Sequence, residues 1–309
     1  MMGTALVNDV KLSTDVINDA GLNWEVEKKP LRYEHNGEVL TVPDKVGIVR
    51  SDNGVTLSVM GDNYGIIQNK DCFSFFDEVV ALQEAEFIRA GESQGGRKIF
   101  IEARIPGVLT IGTNDKLEQR VYLWNSHDGN AFKVFYSPLR LFCKNQLTGS
   151  FSGNVYKQYA GDTAKEITGI RIRHKGNIAA KLNEAQGIIK KAIIHFETFQ
   201  IVANKMYEKE INKTEASDYF RRLTLTDPER KGEKPSTRVK NIRENLSTLF
   251  VRGKGNQGRS VWDAYNAVTE YADWHKTERK GTDKMADLFY GTAGRLKQGA
   301  LNAAAILVN

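Results

Sequence analysis

Cysteine is scarce. The 309 residues include two, Cys72 and Cys143, and neither has a CxxC neighbour or a second ligand at zinc spacing. No disulfide framework or zinc ribbon is indicated, and two buried thiols in a reducing compartment are expected. Long apolar runs are missing too. No stretch approaches the ~18 residues needed to span a bilayer, and the mean hydropathy is negative. The N-terminal sequence MMGTALVNDVKLSTDV has no basic start leading into an apolar stretch, so no secretion signal is expected. The chain also lacks the GxxxxGK[ST] string of a phosphate loop, an HExxH helix and any paired acidic motif, so neither ATP hydrolysis nor metal-assisted chemistry is indicated, and no cofactor is expected.

Charge is what the chain has, and it is unevenly spread. Residues 229–259 hold nine Lys/Arg against three acids, an excess equal to the +6 of the whole chain. Residues 129–183 hold another nine Lys/Arg against two acids, so the remainder is net acidic. Clustering of this kind attracts polyanions.

Turn chemistry and periodicity order the elements. Residues 31–36 and 38–43 alternate around Asn36-Gly37, and residues 45–64 alternate around Asp52-Asn53-Gly54; both read as hairpins. The period then changes. Phe73, Phe76 and Val80 share one helical face, with Asn69 or Asp71 as the cap. Strands follow at 85–91, at 97–106 (ended by Pro106), at 118–126 and at 131–143, the last two joined by His127-Asp128-Gly129-Asn130. From about 177 the pattern is helical: a long helix over 177–211, a helix with a capping box in the 214–217 region, a linker over 226–237, and three further helices. The expected architecture is α+β: an antiparallel sheet in the order hairpin, helix, strands, helix, with helices packed on it. The expected division is an N-terminal arm over 1–28, an α+β core over 29–211 and a helical region over 212–309 that contains a basic loop at 226–260.

Three places invite chemistry. Ser126-His127-Asp128-Gly129 resembles a catalytic string, but adjacent residues on an extended chain point to opposite faces, so they form no triad. A hairpin turn is the plain reading, and His127 as a base with distant partners is the sharper one. Gly253–Ser260 (GKGNQGRS) runs straight into a helix whose free N–H groups favour an anion. Residues 129–161 carry Lys133, Arg140, Lys144 and Lys157, no acid, and seven aromatics, among them Phe132, Phe135 and Tyr136. Sheets with this mix stack bases and hold phosphates, although alternation sends about half of the rings inward. The expected nucleic-acid contacts are Lys133, Arg140, Lys144, Arg171, Arg173 and Lys175, with Arg252, Lys254 and Arg259 as a second set.

Four separated strings carry a resemblance: residues 20–31 (AGLNWEVEKKPL), 46–69 (VGIVRSDNGVTLSVMGDNYGIIQN), 124–147 (WNSHDGNAFKVFYSPLRLFCKNQL) and 264–275 (AYNAVTEYADWH). Over about residues 20–277 the chain resembles the phage- and plasmid-type proteins grouped as a domain of unknown function. Gln146 stands where that family has Thr in Cys143–Leu147, and Trp274 stands where it has His before His275. The resemblance implies a phage or plasmid context, hence the cytoplasm of a bacterial host. The element order is similar to that of single-strand annealing recombinases, which implies single-stranded DNA as partner and a homo-oligomeric ring or filament. The alternatives are a phage accessory protein that binds a host defence protein, and a nucleic-acid-processing enzyme using His127 and Asp128.

Overall fold

A computed structural model describes residues 4–6, 13–83, 85–141, 144–147, 170–176, 180, 192–277, 284, 287–288 and 291–308. The first hairpin forms where the turn chemistry demands it. Asn36 and Gly37 both have positive φ, 52° and 82°, which joins β2 (Val26–His35) to β3 (Glu38–Arg50). Gly54, at φ 73°, closes the turn to β4 (Thr56–Gly61), completing a three-stranded sheet in the order β2-β3-β4. The registers are antiparallel, with a bulge between Pro30 and Arg32. Helix α2 (Asn69–Gln83) buries Cys72, Phe73, Phe75 and Phe76, in line with its sequence periodicity.

The larger sheet is also antiparallel in every pairing resolved. Its order is β1 (Thr4–Leu6), β5 (Glu86–Ser93), β6 (Lys98–Ile111), β7 (Asp115–Ser126), β8 (Phe132–Tyr136) and β11 (Ile170–Ile172). Two short strands, β9 (Leu139–Arg140) and β10 (Asn145–Gln146), pair with each other, and β9 also pairs with β7. Several details differ from expectation. The N-terminal arm, expected as a short helix or an ordered arm, holds helix α1 (Ser13–Asp19), whose Val16 and Ile17 are buried, and in addition contributes the edge strand β1. Strand β6 runs on past Pro106, because Gly107 at φ 97° supplies the irregularity that a proline in a strand needs. The strand expected over 131–143 stops at Tyr136, before Ser137-Pro138; residues 142 and 143 lie outside the described set.

The chain folds as two units that are each discontinuous in sequence. One comprises Met1–Pro106, Arg120–Phe135 and Gly169–Ala192; the other comprises Gly107–Gln119, Tyr136–Thr168 and Ile193–Asn309. In the first unit the sheet interior is Ile99, Ile101, Ala103, Val121, Leu123, Phe132 and Val134, all buried, with Phe75 set edge-on to Phe132.

The second unit is built on α7 (Val261–Glu270), every residue of which is buried. A helix buried all round is a core element, and its polar residues must find partners. Around it lie α3 (Ala192–Glu208), α4 (Lys213–Leu223), α6 (Thr237–Arg252) and α8 (Thr292–Leu307). Of the long helix expected over 177–211, α3 ends at Glu208, three residues short, and 177–179 and 181–191 lie outside the described set. The α4 capping box is Asn212 with Glu215, two residues earlier than expected, since Asn212 Oδ1 accepts the amides of Thr214 and Glu215. The expected linker holds a short helix, α5 (Asp227–Arg230), instead. Arg243 of α6 ties it down by hydrogen bonds to Thr224 and an ion pair to Glu229, and that bonding holds the Glu229 carboxyl down at about 2.

Candidate nucleic-acid interface

The nine expected contact residues divide sharply. Arg140 is the correction. It is fully buried, and its guanidinium is spent inside the protein. Nε donates to both oxygens of Asp115, at 3.0 and 2.7 Å, and Nη1 and Nη2 reach the carbonyls of Lys254 and Gly255 and Asn256 Oδ1 at 2.9–3.0 Å. A guanidinium with a buried carboxylate and three loop acceptors has nothing left for a phosphate. Arg140 lines no groove; it braces the loop.

That loop, 253–260, is therefore a held structure. Asn256 Nδ2 donates to the carbonyls of Leu249 and Asp263, and Lys254 N–H donates to Glu270. Asp263 accepts from the backbone of Gln257, Arg259 and Ser260 and from the Ser260 hydroxyl. Here a second expectation fails. Ser260 Oγ accepts the Asp263 amide and Asp263 accepts the Ser260 amide in a reciprocal capping box, and the Val261 amide donates to the Lys209 carbonyl, so these amides are not free for an external anion. Charge enters through side chains. Arg252, Lys254 and Arg259 are exposed, and none of them forms an ion pair among the described residues. Arg259 leans over the Tyr207 ring at 5.9 Å and donates to its hydroxyl at 3.3 Å.

In the first unit, Lys133 and Arg171 are direct cross-strand partners on β8 and β11. Like charges in that position repel. Burial, and then Arg171, push the Lys133 ammonium down to about 8. Arg171, Arg173 and Lys175 are exposed at the β11 end. In the second unit Lys144 is exposed, at φ 55°, where its amide closes the turn onto the Arg140 carbonyl at 2.8 Å. Of the interleaved rings, Phe132 and Tyr136 are buried, and Phe135 stacks on Tyr122 at 5.5 Å. Phe142, Phe151, Tyr156 and Tyr159 lie outside the described residues.

The Ser126–Asn130 string is a turn closed by its own side chains. Ser126 Oγ accepts the amides of Asp128 and Asn130 and donates to the Asp128 carboxylate. Lys98 pairs with Asp128 at 2.6 Å. Burial pushes the Asp128 carboxyl up, but the bonds from Lys98, Ser126 and Asn130 outweigh it and hold the carboxyl below its ordinary range. His127 points away from both. It is fully buried, 5.5 Å from the Trp24 ring, and hydrogen-bonded to Asn69 Oδ1 at 3.0 Å. Asn69 Nδ2 is already donating to the Leu22 carbonyl, so Oδ1 is the acceptor and the imidazole carries its proton on Nε2. Burial, then the nearby His174, push the imidazole down to about 4. Ser126 and His127 therefore do not form a nucleophile–base pair.

A pocket of about 240 Å³ opens beside the braced loop, lined by Asn114, Asp115, Tyr207, Gly255, Asn256, Gln257, Arg259, Trp262 and Asp263. Trp262 Nε1 donates to Asp115 Oδ2. Sequence reading missed Asp115, Tyr207 and Trp262, whose positions far apart in the chain gave no local signal. Asp263 did have one, the Ser-x-x-Asp string at 260–263. Among the described residues, no three His, Cys, Asp or Glu side chains converge to hold a metal ion. No described helix is long and apolar enough to cross a membrane.

No curated protein and no solved structure gives a significant match to the chain. A family model described as a domain of unknown function, DUF932, matches residues 56–291. The match takes in the braced loop, the pocket and the Ser126–Asn130 turn alike, and the chain belongs to that family.

Proposed function

We propose that the protein binds single-stranded DNA without sequence preference and acts as an annealing or recombination protein of phage or plasmid type in the cytoplasm of a bacterial host, as a homo-oligomer. The observation that carries the reading is the Arg140-braced loop. A fully buried arginine is used to hold a glycine-rich segment, and that segment and the end of α6 before it present Arg252, Lys254 and Arg259 to solvent with no acidic partner among the described residues. Burying an Arg–Asp pair carries a desolvation cost of several kcal/mol, which is well spent if it preorganises a binding surface. Arg171, Arg173 and Lys175 form a second exposed set in the other unit. Binding and alignment of complementary strands need neither ATP nor a metal. The closed turn at Ser126–Asn130 favours this reading over a reaction at His127.

The test is fluorescence anisotropy of a labelled dT oligonucleotide at 50 and 300 mM salt. Binding that weakens steeply with salt supports the reading, because phosphate contacts release counterions. Affinity unchanged by salt, or no binding at the lower salt, overturns it. A complementary-strand annealing assay follows a positive result.

A further inference from the structure

We infer that the pocket beside the braced loop takes one unpaired nucleobase of the bound strand, with Arg259 reaching the adjoining phosphate. This rests on the strand-binding reading and gives it a specific seat.

Size comes first. At about 240 Å³ the pocket lies below the ~300 Å³ at which drug-sized sites begin, which suits a single ring system. Charge comes second. Asp115 is neutralised by Arg140, and Asp263 has both oxygens committed to loop amides and the Ser260 hydroxyl. The walls therefore offer neither an open cation hole nor a cluster of free amides for a phosphate, and a neutral guest fits best. Chemistry comes third. Of the two aromatic side chains that line the cavity, Trp262 is buried and the partly exposed Tyr207 offers a ring, and bases stack on such rings. The side-chain amides of Asn114 and Gln257 are exposed at the mouth and make no hydrogen bond among the described residues. An amide presents a donor beside an acceptor, the complement of a base edge.

The pocket is also rigid where it must be. Tyr207 lies flat on Gly112, whose φ of 59° and missing Cβ permit the approach; a Cβ there would overlap the ring. Asn204 Oδ1 accepts the Gly112 amide at 2.8 Å and keeps that turn in place. Trp262 is fixed through its Nε1 on Asp115. The Arg259 side chain is exposed, rests over the Tyr207 ring and is held by one hydrogen bond of 3.3 Å to its hydroxyl among the described residues, which leaves the guanidinium available to a phosphate.

The experiment uses the full chain and a dT oligonucleotide with one central 2-aminopurine, read by anisotropy and by base fluorescence together, with the free 2-aminopurine nucleoside monophosphate as a second probe. Asn114→Trp plugs the mouth from an exposed position, and Gln257→Trp does so from a second exposed lining position should the first variant fail to fold. The wild type is expected to quench the strand's 2-aminopurine on binding. The plugged variants are expected to lose most of that quenching and about 5-fold or more in affinity, the low end of one stacked base, while retaining the salt dependence. Equal quenching in wild type and plugged proteins overturns the base pocket and leaves strand binding standing. No strand binding, with the free nucleotide still quenched by the wild type alone, overturns both the strand reading and the strand-base assignment, and marks a mononucleotide site. Silence with both probes removes the pocket and the function together.

Discussion

The indole Nε1 of Trp262 donates to Asp115 Oδ2 at 2.7 Å across 147 residues of sequence, and the same carboxylate receives Arg140. One buried acid thus fixes a core tryptophan and the arginine that braces the basic loop. Arg140→Met is expected to destabilise the protein by about 3–5 kcal/mol, because it leaves Asp115 charged and buried with the indole alone. Adding Asp115→Asn in the Arg140→Met background removes that charge and should recover part of the loss. Urea unfolding of the three proteins measures it, and an Arg140→Met chain within about 1 kcal/mol of wild type would falsify the bracing role.

Stability should fall with acid in a window set by His127. Its folded value is pushed down to about 4 by burial, against an unfolded value of about 6.5. Between those two values the unfolded chain binds the proton and the folded chain does not, so stability rises with pH. The contribution is complete above about pH 6.5 and lost as pH falls to about 4, amounting to about 3 kcal/mol in all. His174, pushed down by burial, adds in the same direction. Thermal melts from pH 4 to 7 on wild type and His127→Gln check this: the variant should have a shallower slope, and identical slopes refute it.

Gly112→Ala is expected to cost about 2 kcal/mol or more, from an alanine at positive φ and from overlap with Tyr207. Replacing Tyr207 by Ala in the same chain removes the overlap and leaves the backbone strain, so the two substitutions should be less than additive. Strict additivity in a double-mutant cycle would mean that the ring does not rest on the glycine.

Charge removal separates binding from bracing. Lys254→Gln and Arg252→Gln are each expected to flatten the dependence of log affinity on log salt by about 0.7, one single-strand phosphate contact each, with no change in stability. Arg243→Gln should do the reverse, because that arginine is spent on Thr224 and Glu229. A slope that follows Arg243 instead would relocate the interface to α5 and α6.

The elements that announce themselves through short-range chemistry were legible in the sequence. Asn36-Gly37 and Asp52-Asn53-Gly54 demand positive φ, and they turn hairpins. Phe73 and Phe76 set the inward face of α2. Arg140 was not legible. In an acid-free stretch it reads as a phosphate contact, since its carboxylate lies 25 positions upstream and charge counting along the chain cannot pair them. The anion seat expected at the start of α7 failed for a more local reason. Ser260-x-x-Asp263 is a capping box in plain sight, and it takes up the Ser260 and Asp263 amides that a ligand would have used. Tyr207 and Trp262 came together only through tertiary packing against Gly112 and Asp115, which no spacing rule anticipates.

The interleaving of segments in the helical unit has a consequence for how the chain is made. Asp115 leaves the ribosome 147 residues before Trp262, which at typical elongation rates is roughly 7–30 s. Through that interval the carboxylate and Arg140 have each other but neither the indole nor the loop carbonyls at 254 and 255. The segment from Gly107 to Gln119 is therefore synthesised early and finished late. A nascent chain stalled before Val261 holds an incomplete core, open to chaperones and proteases until α7 arrives.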